Sequence, residues 1–242
     1  MTEERGKSFR ISLNLAKQKI GNFGEFLLKA AEPFILSGAI ILILSFFSLN
    51  LGITNYYPFL LIGLIMFCFF RQSTQDAVSA ISKEESFEAK KNKKAIILSS
   101  FFQALFFNII HVIIFAGILY YLKMPLFGLV YYPVVLILYS VFIIGINFII
   151  AGEDESRFSS SLWAIITWIL LIITPIIYSA KEMGKYLVYN PLTYYINMAR
   201  DILINNNYSM TINSIILIIG ISLVSLILGS IIFSITKKDK EK

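Results

Sequence analysis

Side chains that could carry out proton chemistry are scarce in the apolar parts of this sequence of 242 residues. His111 is the one ionisable residue well inside a long apolar run, because Arg71 and Asp76 follow one run and Lys123 separates two others. We expect His111 to hydrogen-bond a neighbouring helix, and a functional role for it stays open. Because the same runs contain no carboxylate, coupling to protons or sodium has no evident carrier.

Motifs of enzymes and nucleotide-binding proteins are absent from the sequence. There is no G-x-x-x-x-G-K-[ST] loop, no G-x-S-x-G or H-E-x-x-H motif, and no paired acidic motif that could bind a metal beside a lipid headgroup. Cys68 is the only cysteine, which excludes disulfides and cysteine-based metal sites within one chain. We therefore expect no catalytic residue, metal or cofactor in this chain, and the absence of these motifs favours a membrane subunit that receives its energy from a separate cytoplasmic ATPase.

Aromatic rings offer a second kind of chemistry near the end of the chain. Tyrosines recur through one polar segment at Tyr178, Tyr186, Tyr189, Tyr194 and Tyr195. A tyrosine presents a flat apolar face together with a hydroxyl, which suits contacts with sugars. The alternative is an ordinary belt of aromatic residues at a membrane surface.

The composition shows which solvent surrounds these residues. The chain is 57% hydrophobic and 15% charged, whereas soluble domains average about 45–50% apolar and about 25% charged residues. Six apolar runs each approach the roughly 20 residues that a membrane-spanning helix needs; they cover residues 33–51, 53–70, 95–122, 124–151, 162–178 and 212–235. We predict an all-α polytopic membrane protein with six transmembrane helices, forming one domain over residues 1–242.

Basic residues indicate how these helices are oriented. With six crossings, seventeen of the 21 lysines and arginines fall on the side of both termini, against Lys123, Lys181, Lys185 and Arg200 on the other. This bias predicts that both termini are cytoplasmic, in the cell membrane. The net charge of +6 is then a topology signal, and we expect no nucleic-acid partner.

Two cytoplasmic segments are predicted to be helical outside the spans. Residues 7–29 keep apolar side chains on one stripe, which is typical of a helix lying in the headgroup layer. This interface helix is either a lipid anchor or also a docking surface for a cytoplasmic partner.

Residues 83–92 are predicted to form the second cytoplasmic helix. Ser82, Glu84 and Glu85 supply a capping box and acidic residues at its start, and lysines close it. Phe87 is its one large apolar residue, so it either packs on the interface helix or binds a partner.

The outer segment, residues 179–211, is too polar to cross a membrane. Asn190 and Pro191 provide an N-cap and a first-turn proline, and an apolar stripe follows until the asparagines at 205–207. A helix of this length is interfacial or re-entrant rather than spanning.

The order of these parts resembles the ABC-2 type permeases that export polysaccharides and teichoic acids. The most specific stretches are Thr174-Pro175-Ile176-Ile177-Tyr178, Asn190-Pro191-Leu192-Thr193-Tyr194-Tyr195 and Arg200-Asp201, which are similar to that family's (S/T)-P-I-x-Y, N-P-L-T and trailing arginine pattern. The stretch that begins Tyr57-Pro58-Phe59 is similar to the start of its second span.

The resemblance implies a permease subunit that works as a homodimer with a cytoplasmic P-loop ATPase subunit, which holds ATP and magnesium. The substrate implied is a lipid-linked glycan or teichoic-acid-like polymer, moved outward across the cytoplasmic membrane. Membrane lipids are further partners. A drug or lipid exporter of the same fold and a non-transporting scaffold subunit are the alternatives. The substrate pathway expected on this basis comprises Phe102, Tyr178, Tyr189, Asn190, Pro191, Tyr194, Tyr195 and Arg200. The ATPase contact expected comprises Ser82, Glu84, Glu85, Phe87, Glu153 and Arg157.

Overall fold

The computed structural model describes residues 23–46, 56–82, 93–152, 157–176, 190–205, 207 and 212–240. Within these residues every regular element is helical. The seven α-helices are α1 (Phe23–Phe46), α2 (Tyr56–Ser82), α3 (Lys93–Tyr121), α4 (Tyr132–Gly152), α5 (Arg157–Ile173), α6 (Pro191–Leu203) and α7 (Ile212–Lys240), and a 3₁₀ turn covers Phe127–Val130.

Four of the described helices are long and apolar enough to cross a membrane. Their apolar sections are Tyr56–Thr74 in α2, Ala104–Tyr121 in α3, Tyr132–Ile149 in α4 and Asn213–Ile235 in α7. The predicted first and fifth runs correspond to α1, whose apolar section is the shorter Ala30–Ile43, and to the 17-residue α5. The chain is therefore a multi-pass helical membrane protein.

Helix α1 continues through Pro33 without dividing. The Ser37 hydroxyl donates a hydrogen bond of 2.6 Å to the Pro33 carbonyl, one turn back on the same helix. Residues 23–29, which were assigned to the interface helix, thus belong to the same helix as the apolar section that follows. The rest of that predicted helix lies outside the described residues.

The connection between α3 and α4 differs from the sequence prediction. The fourth apolar run was expected to be helical from residue 124, but α4 begins only at Tyr132. Lys123 adopts a positive φ of 55°, and the 3₁₀ turn then crosses α6, where a Cβ on Gly128 would clash with the Ile202 carbonyl oxygen. Hydropathy alone cannot distinguish this apolar turn from the start of the span.

Helices α4 and α7 form the most extensive contact in the fold. A Cβ on Gly229 would clash with the Gly145 carbonyl oxygen, so the two backbones touch at these glycines. Small residues of this kind permit close helix packing in membranes. The Ser225 hydroxyl adds a hydrogen bond of 2.9 Å to the Phe142 carbonyl of α4.

Helix α2 lies at the centre of the described bundle. It contacts α1, α4, α5 and α6, and its residues 62–70 are all buried. Helix α7, in contrast, exposes a long apolar face on the side away from α4. Helix α6 packs against α2 and α4, near the centre of the bundle.

Candidate functional site

Helix α5 ends at a break in the backbone formed by Thr174, Pro175 and Ile176. All three residues are buried, and Pro175 has no N–H with which to continue a helix. The Ile176 N–H donates instead to the Thr174 carbonyl at 2.7 Å. Buried carbonyl oxygens need hydrogen-bond donors, and at this break the donors are side chains from other parts of the chain.

Asn190 holds one end of the break. Its side-chain oxygen accepts a hydrogen bond of 3.0 Å from the Leu192 N–H, which confirms the predicted N-cap, and Pro191 is the first helical residue. Its side-chain nitrogen donates to the Thr174 hydroxyl at 2.8 Å. One amide therefore starts α6 and ties it to the end of α5.

Arg200 holds the other end. Its Nη1 and Nη2 donate to the carbonyls of Pro175 at 2.6 Å and Ile176 at 2.8 Å, and its Nε donates to the Phe59 carbonyl of α2 at 3.0 Å. The guanidinium carbon lies 3.4 Å from the centroid of the Phe59 ring. A guanidinium presents several donors in a rigid fork, and here that fork joins three helical elements through backbone oxygens alone.

The surroundings of Arg200 are shaped to admit its side chain. Arg200 is 3% exposed, and a Cβ on Gly63 would clash with its Nη2. Burial lowers the pKa of Arg200 to about 9, while the neighbouring Asp201 acts to raise it. The side chain therefore stays charged at neutral pH, although no described carboxylate forms an ion pair with it.

These residues together form one hydrogen-bonded unit. We call Thr174, Pro175, Ile176, Asn190 and Arg200 the outer lock, after the predicted outer segment to which α6 belongs. It fixes the end of α5, the whole of α6 and the first turn of α2 relative to one another. The lock also brings together the separate sequence stretches on which the family resemblance depends.

Tyr195 is buried beside the lock in an aromatic stack. Its ring centroid lies 5.1 Å from that of Tyr139 and 5.4 Å from that of Phe142, both on α4. Its hydroxyl is 2.6 Å from the Ser222 hydroxyl of α7. The side chain is 0% exposed, so in this conformation it packs α6 onto α4 and α7.

The remaining predicted site residues lie apart from the lock or outside the described residues. Tyr194 and Pro191 are half-buried on α6, and Phe102 is half-buried on α3. Ser82 is the last residue of α2 and Arg157 the first of α5. The other predicted residues, Tyr178, Tyr189, Glu84, Glu85, Phe87 and Glu153, lie outside the described part of the chain.

Two lock-associated residues were not singled out from the sequence as site residues. Phe59 contributes a carbonyl and a ring face, and Gly63 leaves room for the guanidinium. The only sequence signal was a glycine one turn after an aromatic residue in an apolar run, which is a common pattern where another chain segment approaches closely.

His111 lies in the core between α1 and α2. Its ring is edge-on to Phe34 at 5.0 Å and to Phe69 at 4.9 Å. The Ala30 backbone of α1 lies beside the ring, and the hydrogen bond to a neighbouring helix stays a prediction. Its Nε2 has no hydrogen-bond partner in the described part of the chain.

The sequence was compared with known proteins and protein families. A search of curated proteins finds no similar sequence. The sequence profile of the ABC-2 type transporter family matches residues 17–204, a range that contains the whole outer lock. The chain therefore belongs to the ABC-2 type transporter family.

Proposed function

We propose that this chain is the membrane permease of an ABC exporter that moves a lipid-linked polysaccharide or teichoic-acid-like polymer outward. The outer lock is the observation that carries this proposal. It unites, in one buried unit, the three stretches that resemble the polysaccharide and teichoic acid exporters. The family match itself supports only the coarser assignment to an ABC-2 permease.

In this proposal the chain crosses the membrane six times and keeps both termini in the cytoplasm. Two copies work with two ATPase subunits, which bind ATP and magnesium. Separate ATPase subunits are needed because no nucleotide-binding motif occurs in this sequence. The permease then has no catalytic residue of its own and responds to movements of its partner.

Helix α2 provides a route for such a movement. It is one continuous helix from Tyr56 to Ser82. Near one end the Phe59 carbonyl binds Arg200 of the outer lock, and its other end adjoins residues 83–92, the proposed coupling helix. Because residues 62–70 are buried against several neighbours, a displacement of α2 must shift the packing around it. We propose that α2 transmits ATPase movement to the outer lock.

The substrate would then leave beside α6. Tyr194 is half-buried on this helix, while the adjacent Tyr195 points into the core. Tyr194, Phe102 and the tyrosines at 178 and 189 are the proposed stacking surfaces for sugar rings. Asn190, Pro191, Tyr195 and Arg200 would act through the position of α6 rather than by touching the polymer.

Depletion of the chain in cells tests the proposal. We expect lipid-linked polymer to accumulate in the cytoplasm and surface polymer to fall, with recovery by the wild-type chain and by Gly117→Ala, a change in open space on α3. Recovery must also require an intact Walker motif in the partner ATPase. Drug sensitivity without polymer accumulation would instead identify a drug exporter, and rescue with an inactive ATPase would identify a scaffold.

A further inference from the structure

Arg71 is a charged residue within the apolar section of α2. That section, Tyr56–Thr74, is long enough and apolar enough to cross a membrane, and the nine residues before Arg71 are all buried. Arg71 itself is half-buried. A charge within a span is costly unless something neutralises it.

The described part of the chain offers the Arg71 guanidinium no hydrogen-bond or ion-pair partner. Its guanidinium carbon lies 5.8 Å from the centroid of the Trp168 ring on α5. The nearby Glu32 carboxylate accepts a hydrogen bond of 3.2 Å from Gln72 instead. Arg200, by contrast, donates to three carbonyls, whereas the donors of Arg71 are not engaged by the described part of the chain.

The ring beside Arg71 is open to the membrane environment. Trp168 is 58% exposed, and of the other described helices α5 contacts chiefly α2. Tryptophan is enriched at the boundary between lipid tails and headgroups. Arg71 lies three residues before the end of the apolar section of α2, from where a long basic side chain can extend its charged end toward the headgroup layer. The exposed indole lies beside it.

We propose that Arg71 and Trp168 form a binding site for the phosphate group of a membrane lipid. A guanidinium binds phosphate through two parallel hydrogen bonds, and the indole packs against the adjoining lipid chain. The phosphate could belong to a bilayer phospholipid or to a polyprenyl phosphate carrier. This inference does not depend on the proposed export activity.

Fluorescence of Trp168 tests the site in the purified full-length chain. The sequence has two tryptophans, so Trp163→Phe leaves Trp168 as the single reporter. The protein is held in dodecyl maltoside micelles, which carry no phosphate. It is titrated with phosphatidic acid and with a polyprenyl phosphate, and in parallel with diacylglycerol and polyprenol, which are the same lipids without phosphate.

We expect a saturable change in Trp168 emission with the phosphate lipids and little change with the matched alcohols. Arg71→Gln should weaken binding about tenfold or more, because it removes hydrogen bonds made by a charged donor. The affinity of Arg71→Lys for the phosphate lipids should lie between those of the wild type and Arg71→Gln, because an ammonium keeps the charge but lacks the planar fork of donors.

The two lipids separate the two sources of phosphate. Tighter binding of polyprenyl phosphate than of phosphatidic acid identifies the carrier, tighter binding of phosphatidic acid identifies bilayer phospholipid, and equal binding shows that the site recognises the phosphate of either lipid. Equal responses to phosphate lipids and alcohols, or an unchanged response in Arg71→Gln, would overturn the proposal. If Arg71→Gln does not fold, the comparison of phosphate with alcohol in the Trp163→Phe protein decides alone.

Discussion

Removal of the Arg200 guanidinium should destabilise the described bundle strongly, because this one side chain donates three hydrogen bonds. Arg200→Met deletes hydrogen bonds to Phe59, Pro175 and Ile176 and leaves two buried carbonyls and one half-buried carbonyl without that donor. Hydrogen bonds from a charged donor contribute about 1.5–3 kcal/mol each, while relief of the buried charge returns several kcal/mol. The net loss expected is about 2–4 kcal/mol, or about 5–15 °C in Tm for a chain of this size.

Arg200→Lys keeps the positive charge of the side chain but removes the planar fork of guanidinium donors. An ammonium is one compact group, and the three carbonyls belong to α2 and to the break after α5. We expect the substituted lysine to keep only part of the network and the protein to lose about 1.5–3 kcal/mol. The assay is thermal unfolding of the purified protein in detergent, together with limited proteolysis to detect opening of the break at residues 174–176.

Gly63→Ala tests the same geometry from the opposite side. The added methyl would meet Nη2 of Arg200 and displace it from the Ile176 carbonyl. In the wild-type background the change should cost about 1–3 kcal/mol, the cost of leaving a buried acceptor unsatisfied. In the Arg200→Met background it should cost much less, and this difference gives a double-mutant coupling energy.

Gly117→Ala is the matched control. It also adds a methyl to a helical glycine, but the space around it is open, so stability should stay the same or rise by about 0.5–1 kcal/mol. The reasoning about the lock would be refuted if Arg200→Met were as stable as the wild type. It would also be refuted if Gly63→Ala cost the same with and without Arg200.

Four further predictions concern other parts of the chain. Gly145→Ala should lower Tm by about 5 °C or more, because its Cβ would meet the backbone of α7, whereas Gly220→Ala, in open space, should not. Tyr195→Phe should cost about 1 kcal/mol in thermal unfolding for the lost contact with the Ser222 hydroxyl. Lys123→Cys, at an exposed turn, should label only from outside intact cells in a Cys68→Ser background; equal labelling from both sides would contradict the proposed orientation. Phe87→Asp should reduce co-purification of the ATPase or uncouple its hydrolysis from export, and normal values for both would place the contact elsewhere.

The helices were largely predictable because hydropathy and capping are local properties. The apolar runs gave the four long spans, and the Asn190-Pro191 pair gave the start of α6. The start of α4 was not predictable, since residues 124–131 are as apolar as a span. They fold as a turn because Pro125 and the contact of Gly128 with α6 oppose a continuous helix.

The arrangement within the site was less predictable than its location. Tyr194 and Tyr195 are adjacent and chemically identical, yet only Tyr195 is fully buried, because successive residues of a helix face directions about 100° apart. All three hydrogen-bond partners of Arg200 are backbone carbonyls, and one of them lies 141 residues away. Such partners leave no pattern in side-chain identity. The sequence therefore indicated Asn190 and Arg200 as candidate site residues but not the contacts that join them to Thr174, Pro175 and Ile176.

The choice of carbonyls rather than a carboxylate as partners for Arg200 bears on how the lock could open. Separation of a buried arginine from a carboxylate leaves two uncompensated charges, which is among the costliest changes within a membrane. Separation from carbonyls leaves one charge and three neutral acceptors, all of which water or hydroxyl groups can satisfy. A lock of this kind is stable while α6 is packed against α2, and it can be released at lower cost when the outer end admits water or a polymer rich in hydroxyls. In the proposed exporter this difference favours opening at the outer lock over opening through the aromatic stack, where each ring would lose apolar contacts without gaining a new partner.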